Sequence, residues 1–333
     1  MAVDKMSQRK ISMSILNTLQ SAGKTLGATR IAKKLEDFGV DLSQRTVRYY
    51  LQKLDQEGLT HNFGKRGRKI TAKGESELKT AFVIEKVGFV SAKIDTLTYQ
   101  MNFLYKKLRG DVIVNISSIE KEYCAKALQQ IQLVYRAALG MGTLVALGRP
   151  GEKIGSIAME ENRVGIGTVC SVTINGILLK EGIHATSRFG GLLELVNGRP
   201  FRFTEIIAYD GSSIDPLEIF IKGGMTSVRQ AAITGTGKIG ASFREIPSIA
   251  ISKVETIKNR MDKMGLGGIL MIGKPGRPLL DIPVSEGRVG MVVAGGLNPI
   301  AAVEESGIAT ENTAMKGLLE FNRLIPYWEL TAQ

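Results

Sequence analysis

Residues 140–183 and 265–308 align without a gap at an offset of 125. LGRPG (Leu147–Gly151) falls on IGKPG (Ile272–Gly276), NRVGIGTV (Asn162–Val169) on GRVGMVVA (Gly287–Ala294), and EGI (Glu181–Ile183) on SGI (Ser306–Ile308). One residue of slip then brings GLLE at 191–194 onto GLLE at 317–320. Ordered agreement that extends to a Pro-Gly pair after an apolar run marks a duplicated structural unit. Each copy follows a stretch of helical periodicity, Glu122–Leu139 or Ile249–Met264, while short apolar runs at Val112–Ile116, Val169–Ile174 and Met291–Val293 have strand length. Residues from about 81 onward therefore read as a mixed α/β domain of two halves, about 81–204 and 205–333, related by a pseudo-two-fold and sharing a core.

The residues before the repeat have a different texture. Ile11, Ile15, Leu16 and Leu19 predict a helix ending near Gly23; Ile31, Ala32, Leu35 and Phe38 predict a second, capped by Thr29 and stopped by Gly39. A third follows, with Ser43 as N-cap and Leu42 packing on Val47 as a hydrophobic staple. Val47, Tyr50, Leu51 and Leu54 recur at i, i+3, i+4, i+7, which turns Gln44, Arg45, Arg48, Tyr49 and Gln52 away from the core. Leu59–Phe63 is a strand-like run, GKRGRK (Gly64–Lys69) a basic turn, and Ile70 and Thr71 a return strand. A basic helix face alone is more often a solvated surface. Placed directly before a strand, basic turn and strand, it reads as the recognition helix and wing of a winged helix-turn-helix. Lys65, Arg66, Arg68 and Lys69 are then phosphate contacts, and the helix face is the base reader. A fourth helix from about Ala72 carries the chain out, so the expected domains are 1–79 and 80–333. The fold class is α+β, a winged helix-turn-helix followed by an internally duplicated mixed α/β regulatory domain.

Charge supports that division. The net charge is +12, and residues up to Glu75 carry fifteen Lys and Arg against seven Asp and Glu, leaving +4 for the rest. Basicity gathered at one end fits an anionic polymer bound there. Cys124 and Cys170 have no metal-like spacing, which argues for a reducing compartment without disulfides. MAVDKMSQRK lacks an apolar targeting core and no membrane-length apolar run occurs, so a cytoplasmic protein is expected.

Motifs for catalysis are missing. GTGKIG (Gly235–Gly240) matches a dinucleotide-loop spacing, but Phe243, Arg244 and Pro247 follow where a helix should open, so a strand turn is the better reading. No Walker lysine, H-E-x-x-H or paired C-x-x-C occurs, and His61 and His184 are the only histidines. No catalytic residue, metal or cofactor is expected. A ligand pocket is a better prospect. Arg163 and Arg288 are repeat mates flanked by glycines, able either to clamp a small dicarboxylate or to make structural ion pairs. GTVCSVTING (Gly167–Gly176) reads as a polar, small-residue strand offering Thr168, Cys170, Thr173 and Asn175, with His184 beyond it. Cys170 is equally a small buried hydrophobe.

The winged helix-turn-helix followed by GRPGEKIGSIAMEENRVGIGTVCSVTINGILL, FGGLLELVNGRPFRFTEIIAYDGSSIDPLEIFI and GKIGASFREIP resembles the archaeal nitrogen-regulatory repressor family, NrpR, over nearly the whole chain. The resemblance implies a repressor of nitrogen-assimilation and nitrogen-fixation genes that leaves its operator when 2-oxoglutarate binds. Such a protein would hold palindromic double-stranded DNA as a homodimer, alone or with a related regulatory subunit. Two other classes stay open: an enzyme fused to a DNA-binding domain, and a docking module for another transcription regulator without a ligand of its own.

Overall fold

The computed structural model describes residues 2–36, 40–80, 89–155 and 157–331. They divide into two units, Met1–Ala92 and Lys93–Gln333, with separate hydrophobic cores. The first unit runs α1 (Ala2–Ala22), α2 (Ala28–Glu36), α3 (Gln44–Gln56), β1 (Thr60–Asn62), β2 (Arg68–Ile70) and α4 (Ala72–Thr80). Its core is the set of apolar stripes legible in the sequence: Ile15, Leu16, Leu19, Ile31, Leu35, Val47, Leu51 and Leu54 are all fully buried. Each such side chain contributes roughly 1.5–3 kcal/mol of transfer free energy. Ser43 caps α3, its Oγ accepting from the Thr46 amide at 3.1 Å, and Leu42 packs at the edge of the core. Thr29 does not cap α2, which begins one residue earlier; its hydroxyl accepts instead from the Gln44 amide of α3. The expected end of α2 at Phe38 and Gly39, and the fourth helix beyond Thr80, lie outside the described residues up to Phe89.

The wing is shorter and tighter than a six-residue basic turn. β1 and β2 pair antiparallel with Thr60 opposite Ile70 and Asn62 opposite Arg68, and Gly64–Arg66 forms one turn of 3-10 helix between them. Only Lys65 and Arg66 therefore stand on the tip, while Arg68 and Lys69 belong to β2. Gly67 has φ +104, and a Cβ there would lie 2.3 Å from the Leu26 carbonyl oxygen. That approach lets Leu26 and Arg68 exchange two backbone hydrogen bonds of 2.9 Å, so the α1–α2 connection adds a third strand position to the wing.

In the second unit, α5 (Phe89–Gln100) leads into β3 (Asp111–Glu120), α6 (Cys124–Arg136), β4 (Leu144–Gly148), β5 (Lys153–Ile154), β6 (Ile157–Ala158), β7 (Arg163–Val169), α7 (Val172–Lys180) and β8 (Thr186–Val196). After β9 (Arg199–Ala208), α8 (Pro216–Lys222) and α9 (Val228–Thr234), the same order recurs. It comprises β10 (Gly237–Pro247), α10 (Ile251–Lys263), β11 (Ile269–Ile272), β12 (Arg288–Ala294), α11 (Asn298–Glu305) and β13 (Glu311–Glu320), and β14 (Ile325–Pro326) closes the chain. The recurrence restarts at β10, and residue 204 lies inside β9. Two antiparallel five-stranded sheets result, ordered β11-β12-β10-β8-β9 and β13-β3-β7-β4-β14. In each, three strands come from one half and the next is the last repeat strand of the other half: β8 pairs with β10, and β13 with β3. The halves are thus strand-exchanged, and one apolar core draws on both sheets. The one-residue slip between the GLLE segments is absorbed where the β13–β3 register shifts between Thr313 and Gly317, with Met315 at φ 48.

One element differs from expectation. Val169–Ile174 and GTVCSVTING are not a strand: β7 ends at Val169 and α7 begins at Val172. Val172 to Leu178 are buried on every side, and a short run buried all round has no periodicity that distinguishes helix from strand. GTGKIG is a strand turn, with Gly235 left-handed at the end of α9 and Gly237 opening β10.

Candidate nucleic-acid interface and effector site

On α3, Gln44, Arg45, Arg48, Tyr49 and Gln52 are all exposed while Val47, Tyr50, Leu51 and Leu54 face the core. Tyr49 is 52% exposed, stands edge-on to Tyr50, and has the Lys53 ammonium 4.7 Å from its ring centre. The face thus presents two guanidiniums, an amide and a cation-capped aromatic. Gln44 is turned toward α2 by its bond to Thr29, so it braces the helix pair.

The wing cations divide. Lys65, Arg66 and Lys69 are exposed and have no ion pair among the described residues. Arg68 departs from the phosphate role expected of it: its Nε donates to Asp55 Oδ2 at 2.7 Å, and its side chain is largely covered. Thr60 donates to the other oxygen of Asp55 at 2.5 Å. Asp55 on α3 therefore holds both wing strands and sets the wing against the recognition helix. Sequence reasoning also missed Lys24, Thr25 and Arg30. They line an open basin of about 580 Å³ with Thr29, Lys65 and Arg66, beside the N-terminus of α2. Lys24, Arg30, Lys65 and Arg66 thus gather four cations around a helix N-terminus, whose dipole adds to their positive potential. The available signal was Arg30 placed in the first turn of α2.

In the second unit, the proposed carboxylate clamp is not assembled. Arg163 on β7 donates from Nε to Ser118 Oγ at 2.9 Å and from Nη2 to Ser118 O at 2.9 Å, with Glu311 of β13 at 3.5 Å. Arg288 on β12 donates to Glu245 O at 2.7 Å and to Thr186 Oγ1 of β8 at 2.8 Å. The two arginines are equivalent, each lacing three strands and including the exchanged one, as a pair of structural contacts would. Thr173 is occupied as well, accepting from the Ile113 amide and donating to its carbonyl at 3.1 and 3.0 Å. His184 is exposed, beside Asp95.

Three candidates do gather. Thr168, Cys170 and Asn175 are buried around the β7–α7 turn. Cys170, Ser171 and Tyr209 line a cavity of about 10 Å³, room for one water, closed by Ile94 of α5 and by Ala314 and Met315 of β13. Gly296, the repeat mate of Ser171, also lines it, so the two equivalent strand-to-helix turns meet here; a Cβ on Gly296 would lie 2.2 Å from Val169 O. Burial pushes the Cys170 thiol up to about 11, which keeps it protonated and unreactive. Nearby, Lys93 of α5 donates to Ala314 O at 2.9 Å while Glu218 accepts from the Ala314 amide, a grip on both sides of the β13 irregularity. Burial drives Glu218 up to about 7 and the Lys93 ammonium down. Arg244, omitted from the expected site, lies here fully buried with Nη2 donating to Ser171 Oγ at 3.0 Å. Its place in a strand of alternating apolar residues hid it.

Among the described residues no cluster of His, Cys, Asp and Glu could hold a metal, and no helix is long and apolar enough to cross a membrane. A family model described as NrpR regulatory domains NRD1 and 2 matches residues 87–325, and one described as the ribonuclease R winged-helix domain matches residues 13–78. The global nitrogen regulator NrpRI of Methanosarcina mazei is 34% identical over 97% of this chain and 99% of its own length. The global nitrogen regulator NrpR of Methanococcus maripaludis is 32% identical over 94% of this chain, which spans 55% of that longer protein. The crystal structure of a nitrogen repressor-like protein from Methanococcus jannaschii superposes with a TM-score of 0.60 at 30% identity, covering 72% of this chain and 97% of that one. With its regulatory region matched by the family model and 97% of its length by a relative, this chain belongs to the NrpR family of nitrogen-regulating transcriptional repressors.

Proposed function

We propose that the chain represses nitrogen-assimilation and nitrogen-fixation genes by holding a palindromic operator as a homodimer, and that it releases the DNA when 2-oxoglutarate enters the second unit. The observation that carries the DNA half is the exposed α3 face beside the cationic wing tip, in a member of this regulator family. A dimer would set two α3 helices into successive major grooves about 34 Å apart. Arg45, Arg48, Tyr49 and Gln52 read bases; Lys65, Arg66 and Lys69, with Lys24 and Arg30, hold phosphates. An effector acts only through its difference in affinity for two states, so a tenfold loss of operator affinity needs about 1.4 kcal/mol of coupling. Ile94 of α5 lines the cavity, so a ligand that enlarges it meets α5.

Electrophoretic shift of operator DNA, titrated with 2-oxoglutarate and close analogues, is the test. Arg48→Ala should relax sequence preference at one position, costing about 1–3 kcal/mol on the preferred site only; Arg66→Ala should weaken all DNA alike and lower the salt slope by about 1. The reverse pattern would overturn the assignment of helix and wing.

A further inference from the structure

One fully buried arginine of the second unit makes no ion pair among the described residues. Arg244 is 1% exposed in the middle of β10, and apart from the bond to Ser171 its Nε and Nη1 have no acceptor among the described residues. Tyr209 and Cys170 lie beside it, and the buried Asp215, which lines the same cavity as these two, makes no ion pair with it. A lysine so placed could shed its proton, but a guanidinium keeps its charge, and an isolated buried charge is among the most costly features a core can hold. One neighbour carries the same signature. Asn175 Oδ1 on α7 is also buried without a partner, while Ser242, on the same face of β10, stands against the Tyr209 hydroxyl. Asn175 Nδ2 donates at 2.9 Å to Ser187 Oγ, and Ser187 is the cross-strand partner of Arg244. Arg244 Nε, Arg244 Nη1 and Asn175 Oδ1 thus bring three unpaired buried polar atoms to one place.

The duplication sharpens the point. By sheet register the mate of Arg244 is Ser117, since Ser117 faces Ile166 of β7 as Arg244 faces Met291 of β12. The mate of Asn175 is Ile300. The charge occurs on one side only, in the half-site that Ser171 and the N-terminus of the nine-residue α7 complete, whereas the other side carries the buried amide of Asn115 at the position of Ser242.

We propose that Arg244, Ser171 and Asn175 form the receptor for one carboxylate group of a small anionic ligand, reached through the cavity lined by Cys170 and Tyr209. A carboxylate oxygen accepts from the free guanidinium nitrogens. Turning over the Asn175 amide lets Ser187 donate to Oδ1 and frees Nδ2 as a further donor to the anion. The cavity admits one water in this state, so the ligand must displace the Ala314–Met315 irregularity of β13 or Ile94 of α5. The identity of the anion as 2-oxoglutarate rests on the function proposed above; the anion receptor itself does not.

Isothermal titration of the full chain with 2-oxoglutarate, glutarate and inorganic sulfate, on wild type, Arg244→Met, Arg244→Lys and Asn175→Leu, tests it. The expected result is 2-oxoglutarate binding weakened on the order of 100-fold in Arg244→Met and less in Arg244→Lys and Asn175→Leu. The ligand-free melting temperature of Arg244→Met should rise, because an uncompensated charge has been removed. If wild type binds 2-oxoglutarate and all three variants bind it equally well, the receptor is elsewhere and the effector reading survives. If wild type binds sulfate but not 2-oxoglutarate and Arg244→Met abolishes it, the receptor stands and the effector reading fails. Binding of no anion at all removes both. Should Arg244→Met fail to fold, Arg244→Lys and Asn175→Leu decide.

Discussion

Asp55 shows how much a single carboxylate can organise. It accepts from Thr60 of β1 and Arg68 of β2 while sitting on α3, so one side chain fixes the wing to the recognition helix. Asp55→Ala should cost about 1–3 kcal/mol in a urea melt of the first transition and weaken binding to specific and random DNA by a similar factor. A loss confined to one operator base would instead mean that Asp55 reads sequence. Arg68 looked like a free wing cation in GKRGRK, because local sequence gives no sign that a carboxylate thirteen residues earlier will meet it. Glu218 belongs at this scale too. Its folded value of about 7 lies above the ordinary 4.5, so between those limits the folded state keeps a proton that the unfolded state has released. Stability should therefore fall as pH rises from about 4.5 to about 7 and level off above. Urea midpoints across that range should flatten in Glu218→Gln, in part only, because Asp215 is raised by burial in the same direction.

The exchanged strands are the element that the repeat arginines serve. Arg163 ties β7 to β3 and β13, and Arg288 ties β12 to β10 and β8. Arg163→Met and Arg288→Met should each destabilise the second unit by about 1–2 kcal/mol and leave 2-oxoglutarate affinity unchanged. A lost ligand response without lost stability would restore the clamp. The elements with a solvent face were legible in sequence: α3, its Ser43 cap and the helices α6 and α10 follow from period and capping chemistry. α7 was not, because complete burial removes the amphipathic signal and leaves a run that could equally be strand.

At the scale of the whole molecule, the sheet of each half of the second unit is completed by strands of the other half, β8 and β9 in one and β13 and β14 in the other. Residues 93–236 and 237–333 should each fail to give a cooperative unfolding transition alone and should recover one when refolded together. Independent folding of either piece would show that β8 and β13 are dispensable additions. Sequence alone determined that the chain has a basic winged helix and a duplicated α/β body, because periodicity, capping and internal repetition are properties of neighbours along the chain. Only tertiary structure decided that the halves exchange strands, that Arg163 and Arg288 are laces, and that Arg244 stands unpaired. Partner choice in a sheet and charge compensation in a core depend on residues far apart in the chain, from 42 positions between Leu195 and Gly237 to about 200 between β3 and β13, whose meeting no local pattern encodes.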